Sequence, residues 1–300
     1  MERKDFLKKL TLGSGMLAAP FVKTSARPGK LLRLKPQRVK PGDTAAIISP
    51  AGRVVESNDI EEAVQAVKNL GLKPKLGENL GKDWGYLGGR DTQRLTDLHN
   101  AFSDPDVKVI FPIRGGFGTS RLLPMLDFDL IKNNPKAFVG FSDNTSLILS
   151  MNQFSGLVTF YGPNALFDWT DYTLDNWRKV LMSPKPVDNF PYLSEKKLKR
   201  KSIVKGKAKG QLLGGNLSLL IQTLGTRWEI DTRDKILFFE DVNESPYEVD
   251  RMLTHLWLAR KLQVAKGFAI GHFTNTGSNG KIDVMEVIRD RFEPLGKPCY

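Results

Sequence analysis

The residues best placed for chemistry lie in the stretch 107–123, VKVIFPIRGGFGTSRLL. An apolar, β-branched run ends at Arg114. Glycines follow at 115, 116 and 118, and Thr119 and Ser120 open a leucine-rich segment predicted to be helical. A strand that turns sharply into a helix puts its turn at the carboxyl end of a sheet, where open α/β folds hold their ligands. Glycines there allow positive φ and let a substrate approach the backbone. A hydroxyl in the first helical turn has free N–H groups beside it and the positive end of the helix dipole beneath it. That setting suits a serine nucleophile whose attack creates an oxyanion. It suits equally a serine that only caps a helix. Three better-known loops are excluded. No Gly-Lys-Ser/Thr closes a P-loop, the glycine spacing is wrong for a dinucleotide fingerprint, and Gly118-Thr119-Ser120-Arg121-Leu122 lacks the last glycine of a hydrolase elbow.

The elements that must position this turn follow from the hydrophobic pattern. From Thr44 apolar strand-like runs alternate with amphipathic helical ones. The runs at 44–49, 107–113, 137–141 and 157–161 read as strands. Helices are predicted after Ser57 or Asn58, after Asp91, at Ser120 and over 144–154. Such alternation implies a parallel sheet covered on both faces. Residues 164–209 break the rhythm with aromatics, proline and lysine, and read as a connector with one helix near 174–182. A second unit starts near Gly210, with helices after Asn216, over 247–262 and over 283–292, and strands at 235–239 and 267–273.

Composition bounds the function. Three hundred residues, 40% of them hydrophobic, suffice for two modest cores. No run nears the roughly 20 apolar residues that span a bilayer, so no stable membrane insertion is expected. Met1–Leu10 is basic, Leu10–Val22 is a short apolar core and Thr24-Ser25-Ala26 are small, the order of an export signal with a twin-arginine-like Arg3-Lys4. Residues 1–26 are therefore expected to be removed on export to the periplasm. Their loss takes five basic and two acidic side chains, and the net charge falls from +12 to +9. The densest basic run, Lys196–Lys201, has no interleaved aromatics and reads as a solvated connector rather than a nucleic-acid site. One cysteine, Cys299, excludes an intrachain disulfide, and His99, His255 and His272 lack metal-ligand spacing. No metal and no cofactor are implied.

Six segments together resemble the LD-carboxypeptidases, the serine peptidases of murein tetrapeptides and of microcin C self-immunity. They are RGGFGTSRLLPMLDF (114–128), GFSDNTSL (140–147), FYGPN (160–164), QLLGGNLSLL (211–220), LFFEDVNESPYEVDRML (237–253) and GFAIGHF (267–273), in the family's order. The resemblance implies an α/β fold with a Rossmann-like, glutamine-amidotransferase-like parallel-sheet domain over 40–165. A connector over 166–209 and a smaller α/β domain over 210–300 follow, with the active site in the cleft between the domains. It implies a Ser-His-Glu triad with Ser120 as nucleophile and Glu240 as the carboxylate, Glu244 being the rival. A serine hydroxyl needs an imidazole to take its proton, and the imidazole needs a carboxylate to fix its tautomer. The family's histidine follows a segment like Pro298-Cys299-Tyr300. It is thus expected beyond residue 300, with the last domain truncated here and the chain inactive as it stands. Backbone N–H groups of Gly116 and Arg121 are expected as oxyanion donors. Arg114 and Asp143 are candidates for holding the substrate, Asp143 alternatively as a helix cap. The expected substrate is a muropeptide whose terminal D-alanine is trimmed. A peptidase of aminoacyl-nucleotide conjugates and a non-catalytic muropeptide binder are the alternatives, and a homodimer is left open.

Overall fold

Strands β1 (Thr44–Ile48) and β3 (Val107–Pro112) are almost wholly buried apolar runs, and they form the centre of a parallel sheet. A computed structural model of the chain describes residues 32–187, 201–277 and 281–300. The expected export signal and most of the Lys196–Lys201 run lie outside the described residues. The sheet has the order β2-β1-β3-β4-β5, with β2 at Lys73–Leu76, β4 at Ala137–Gly140 and β5 at Phe160–Tyr161. Every pairing is parallel. In this order the chain switches direction between β1 and β3, so the crevice of the sheet opens at their carboxyl ends.

Side chains alternate between the sheet's two faces, as strand geometry demands. Ala45, Ile47, Val109, Phe111 and Val139 point to one core, shared with Ala63 and Val67 of α1 (Asp59–Asn69). Trp177 and Leu181 of α5 (Asp171–Leu181) join that core, so the helix expected in the connector is part of the first lobe. Ala46, Ile48, Ile110 and Phe138 point to the other core, beside Leu98 and Phe102 of α2 (Asp91–Ser103). Each fully buried side chain of this size contributes about 1.5–3 kcal/mol. Two short helices, α3 (Phe128–Asn133) and α4 (Thr145–Ser150), complete the lobe.

The second lobe is a three-stranded parallel sheet of order β6-β7-β8, at Gln211–Asn216, Lys235–Val242 and Gly267–Thr274. Helices α6 (Leu217–Gln222), α7 (Pro246–Leu258), α8 (Lys261–Val264) and α9 (Val284–Phe292) belong to the same lobe. Leu237 and Phe239 face its core with Leu217, Leu253 and Ile288. The opposite face carries Phe238, whose ring lies 5.3 Å from that of Tyr161 in the first lobe. One face of this small sheet is therefore closed by its own helices and the other by the first lobe. At its edge Pro298–Tyr300 runs alongside β8, with the Phe268 N–H donating to Pro298 O and the Ile270 N–H to Tyr300 O.

Two strands escape the periodicity. β2 reads Lys-Pro-Lys-Leu and is tolerated because an edge strand can spare the proline N–H. β6 carries Gly214 and Gly215 at φ 147° and 155°. A Cβ at Gly214 would lie 1.7 Å from Phe238 O, so only glycine permits this strand to pair with β7.

Candidate active site

The turn after β3 is held from three directions. Gly118 has φ 128°, and a Cβ there would lie 2.5 Å from Leu87 Cδ2 and 2.9 Å from Arg94 Nη1. Arg94, fully buried, donates to Gly118 O (3.0 Å), to Pro50 O in the loop after β1, and to Asp91 Oδ1 (2.6 Å). Burial pulls its pKa below the usual guanidinium value. The Thr119 N–H donates to Asp143 Oδ2 at 2.9 Å, and the Thr119 hydroxyl to Asp143 O at 2.5 Å. One guanidinium and one carboxylate thus tie the turn to the loops after β1 and β4.

Ser120 does not open an α-helix. It lies in a 3-10 segment, Thr119–Met125, that contains Pro124. An α-helix would need an N–H at 124 donating to Ser120 O, and proline has none. The expected helix-dipole contribution at Ser120 is correspondingly replaced by a tight two-turn segment. The Ser120 hydroxyl accepts a 3.0 Å hydrogen bond from Gln222 Nε2 of the second lobe.

Glu240 stands near the carboxyl end of β7, half-buried and facing the first lobe. Its Oε1 accepts from the Tyr161 hydroxyl at 2.6 Å and from Asn216 Nδ2 at 3.4 Å. Burial raises the Glu240 pKa, the Tyr161 bond lowers it and the neighbouring Asp241 charge raises it. Burial, then the Glu240 charge, push the Tyr161 phenol upward, so it remains a donor. Tyr161 also accepts the Ser142 N–H at 3.2 Å. Ser142 sits at φ 60°, a left-handed conformation that Thr145 supports by donating its hydroxyl to Ser142 O at 2.6 Å. Thr145 in turn accepts the Asn216 N–H at 3.0 Å. Asp241 is buried and fully engaged, accepting from Asn216 Nδ2, the Ser218 N–H and hydroxyl, and its neighbour's N–H.

Helix α6 links the two groups. Asn216 caps its start, accepting the Leu219 N–H, and touches Glu240; Gln222 ends it and touches Ser120. Six residues at about 1.5 Å each span about 9 Å.

The other sequence-predicted residues fare differently. The Arg121 N–H donates to Gly118 O at 3.2 Å, so it is not a free oxyanion donor. The Arg121 side chain forks onto Asp91, with Nε and Nη2 at 2.8–3.1 Å. Gly116 has an N–H without a partner among the described residues, in an exposed position at φ 115°. Asp143 is 1% exposed and neither caps a helix nor reaches the cleft; it anchors the Thr119 turn, and burial raises its pKa. Arg114 reaches Arg53 O at 3.4 Å and pairs with no carboxylate among the described residues. Glu244 accepts from Ser218 at 3.3 Å and touches neither Tyr161 nor Asn216. His99 accepts the Asp127 N–H at 3.2 Å, with its pKa lowered by burial, while His255 and His272 are exposed. None of the three histidines bonds to Ser120 or Glu240. Among the described residues no cluster of candidate metal ligands exists, and no helix is long and apolar enough to cross a membrane.

Sequence reasoning missed Tyr161 and Gln222. Both sit inside or beside segments that carry the family resemblance, and the contacts that matter come from sequence separations of 79 and 102 residues.

Two parallel α/β lobes thus carry a serine in the turn segment after one strand and a carboxyl near the end of another. The chain belongs to the LD-carboxypeptidase family: the N-terminal domain of that family matches residues 45–162 and its C-terminal domain residues 209–300. A probable murein peptide carboxypeptidase of Bacillus subtilis (strain 168) is 39% identical over 276 residues, 89% of this chain and 85% of that protein. The microcin C7 self-immunity protein MccF, solved in complex with aspartyl sulfamoyl adenosine, superposes with a TM-score of 0.79 at 28% identity, covering 89% of this chain and 88% of that one. A muramoyltetrapeptide carboxypeptidase from Oxalobacter formigenes superposes with a TM-score of 0.71 at 29% identity, covering 85% and 86%.

Proposed function

We propose that the protein is a serine carboxypeptidase that hydrolyses the L,D amide bond holding the terminal D-alanine of murein tetrapeptides, after export from the cytoplasm. The observation that carries this reading is α6, with the Ser120 hydroxyl at one end and the Glu240 carboxyl at the other. The helix is about 9 Å long, and the reading sets one imidazole between the two groups, hydrogen-bonded to both. In this reading Ser120 Oγ attacks the scissile carbonyl, giving its proton to that imidazole. Glu240, whose carboxyl accepts from Tyr161 and Asn216, fixes the imidazole's tautomer and stabilises its charged form. The protonated imidazole then passes its proton to the departing D-alanine amine, and water completes hydrolysis of the acyl-enzyme. The Gly116 N–H is the backbone donor that remains available for the oxyanion.

The aminoacyl-nucleotide alternative draws support from the likeness to MccF. Against it, Trp177 is buried, Trp169 packs edge-on to Phe111 in the first lobe's core, and the half-buried Trp228 ring has the Arg227 guanidinium over its face. The test is D-alanine release from a murein tetrapeptide by the protein, without added metal. Ser120→Ala should lower kcat by about 10³-fold or more. Undiminished turnover in that variant, activity abolished by a chelator, or preference for aspartyl sulfamoyl adenosine would overturn the reading.

A further inference from the structure

An exposed aromatic patch flanks the Ser120 turn. Trp84, Tyr86 and Phe117 are 45%, 63% and 40% exposed, and the Tyr86 and Phe117 ring centres lie 5.9 Å apart at 57°. The patch is held rigidly. Trp84 and Leu87 exchange backbone hydrogen bonds across a tight turn, the Arg53 N–H donates to Tyr86 O, and the Gly52 N–H to Gly115 O. Arg90 and Arg121 lie 5.7 and 5.6 Å from the Trp84 ring centre, and Arg121 is fixed by Asp91. Clustered apolar surface that the fold does not bury marks a ligand site.

We propose that Tyr86 and Phe117 form a subsite for the muramoyl ring of a glycan-bearing stem peptide. The inference rests on the tetrapeptide reading above. Three observations carry it. The first is reach: the sugar is joined three residues upstream of the scissile bond, and an extended peptide covers about 10 Å over three residues. Phe117 stands three residues before Ser120, at most about 11 Å away, with Tyr86 one ring contact further. The second is shape. The two rings meet at 57°, so they offer two apolar faces set at an angle to each other rather than one flat stack. The third is charge. Arg53, Arg90 and Arg114 border the patch and the turn and pair with no carboxylate among the described residues, whereas the stem peptide carries several carboxylates. Continuity with the Ser120 turn makes this surface an extension of the cleft.

Calorimetry on the Ser120→Ala protein, which holds substrate without consuming it, separates this inference from the proposed activity. Muramoyl-tetrapeptide should bind about tenfold more tightly than the free tetrapeptide, the order expected of two aromatic contacts. Tyr86→Ala should erase that preference and leave free-tetrapeptide binding unchanged, while Tyr86→Phe, which keeps the ring, retains it. Phe117→Leu should reduce the preference by a smaller factor. Equal affinity for the two ligands, or a preference that survives Tyr86→Ala, would overturn the subsite. D-alanine release by the wild-type protein is scored separately, so its failure would remove the activity and leave the binding ratio to stand or fall alone.

Discussion

Replacing Tyr161 by phenylalanine deletes a single hydroxyl and leaves the ring against Phe238. That hydroxyl donates to Glu240 Oε1 at 2.6 Å, and hydrogen bonds to charged groups contribute about 1.5–3 kcal/mol. One pKa unit corresponds to about 1.36 kcal/mol, so the Glu240 pKa should rise by about one to two units in Tyr161→Phe. The sign follows from the donor's preference for the carboxylate. Burial already raises this pKa in the fold, so Glu240 costs stability as pH climbs through its folded value. Without Tyr161 that cost is larger and is incurred at higher pH. Urea unfolding should therefore show Tyr161→Phe less stable than wild type by about 1.5–3 kcal/mol at pH 8, with the gap narrowing at pH 5 as the carboxyl protonates. If Glu240 must be ionised for turnover, the acid limb of kcat/KM moves upward by the same one to two units, roughly. A stability gap that does not change with pH, or an acid limb that stays in place, would refute this account of the Tyr161–Glu240 pair.

Two further outcomes are expected. Gln222→Leu removes the one side-chain hydrogen bond that the Ser120 hydroxyl accepts among the described residues and should lower kcat several-fold with thermal stability unchanged, whereas a matching loss of stability would make Gln222 merely structural. Arg94→Ala removes a buried guanidinium that joins Pro50 O, Gly118 O and Asp91, and should cost about 3–5 kcal/mol in chemical denaturation. A loss under 1 kcal/mol, roughly the level of an exposed ion pair, would show that the turn is held by other means.

Much of this site could be read before any fold was known. The apolar run Val107–Pro112 and the glycines after it placed Ser120 at a strand end, because strand burial and positive φ leave direct marks on composition. The second-lobe strand, expected over 235–239 and found over Lys235–Val242, was legible for the same reason, whereas Glu240 was singled out by the family resemblance. What was not legible depended on a single local exception or on distant partners. Pro124 converts the expected helix into a 3-10 segment, which spends the Arg121 N–H on Gly118 O. Gly214 and Gly215 hide β6, since a strand built on two glycines has no side-chain period. Asp143 looked like a cleft residue or a cap, and its role as an anchor depends on Thr119, 24 residues earlier. Tyr161 carried no local hint that its hydroxyl would meet a carboxylate 79 residues away.

The contacts between Thr145 and Asn216, Tyr161 and Glu240, and Gln222 and Ser120 all cross from one lobe to the other. Neither lobe owns a complete site. The least stable cooperative motion that separates them would dismantle the chemistry while both hydrophobic cores persist. If the lobes part before either core melts, function is lost at a lower temperature than the fold. Heat inactivation is then a docking equilibrium rather than an unfolding one, and any ligand that touches both lobes protects against it in proportion to its own binding energy.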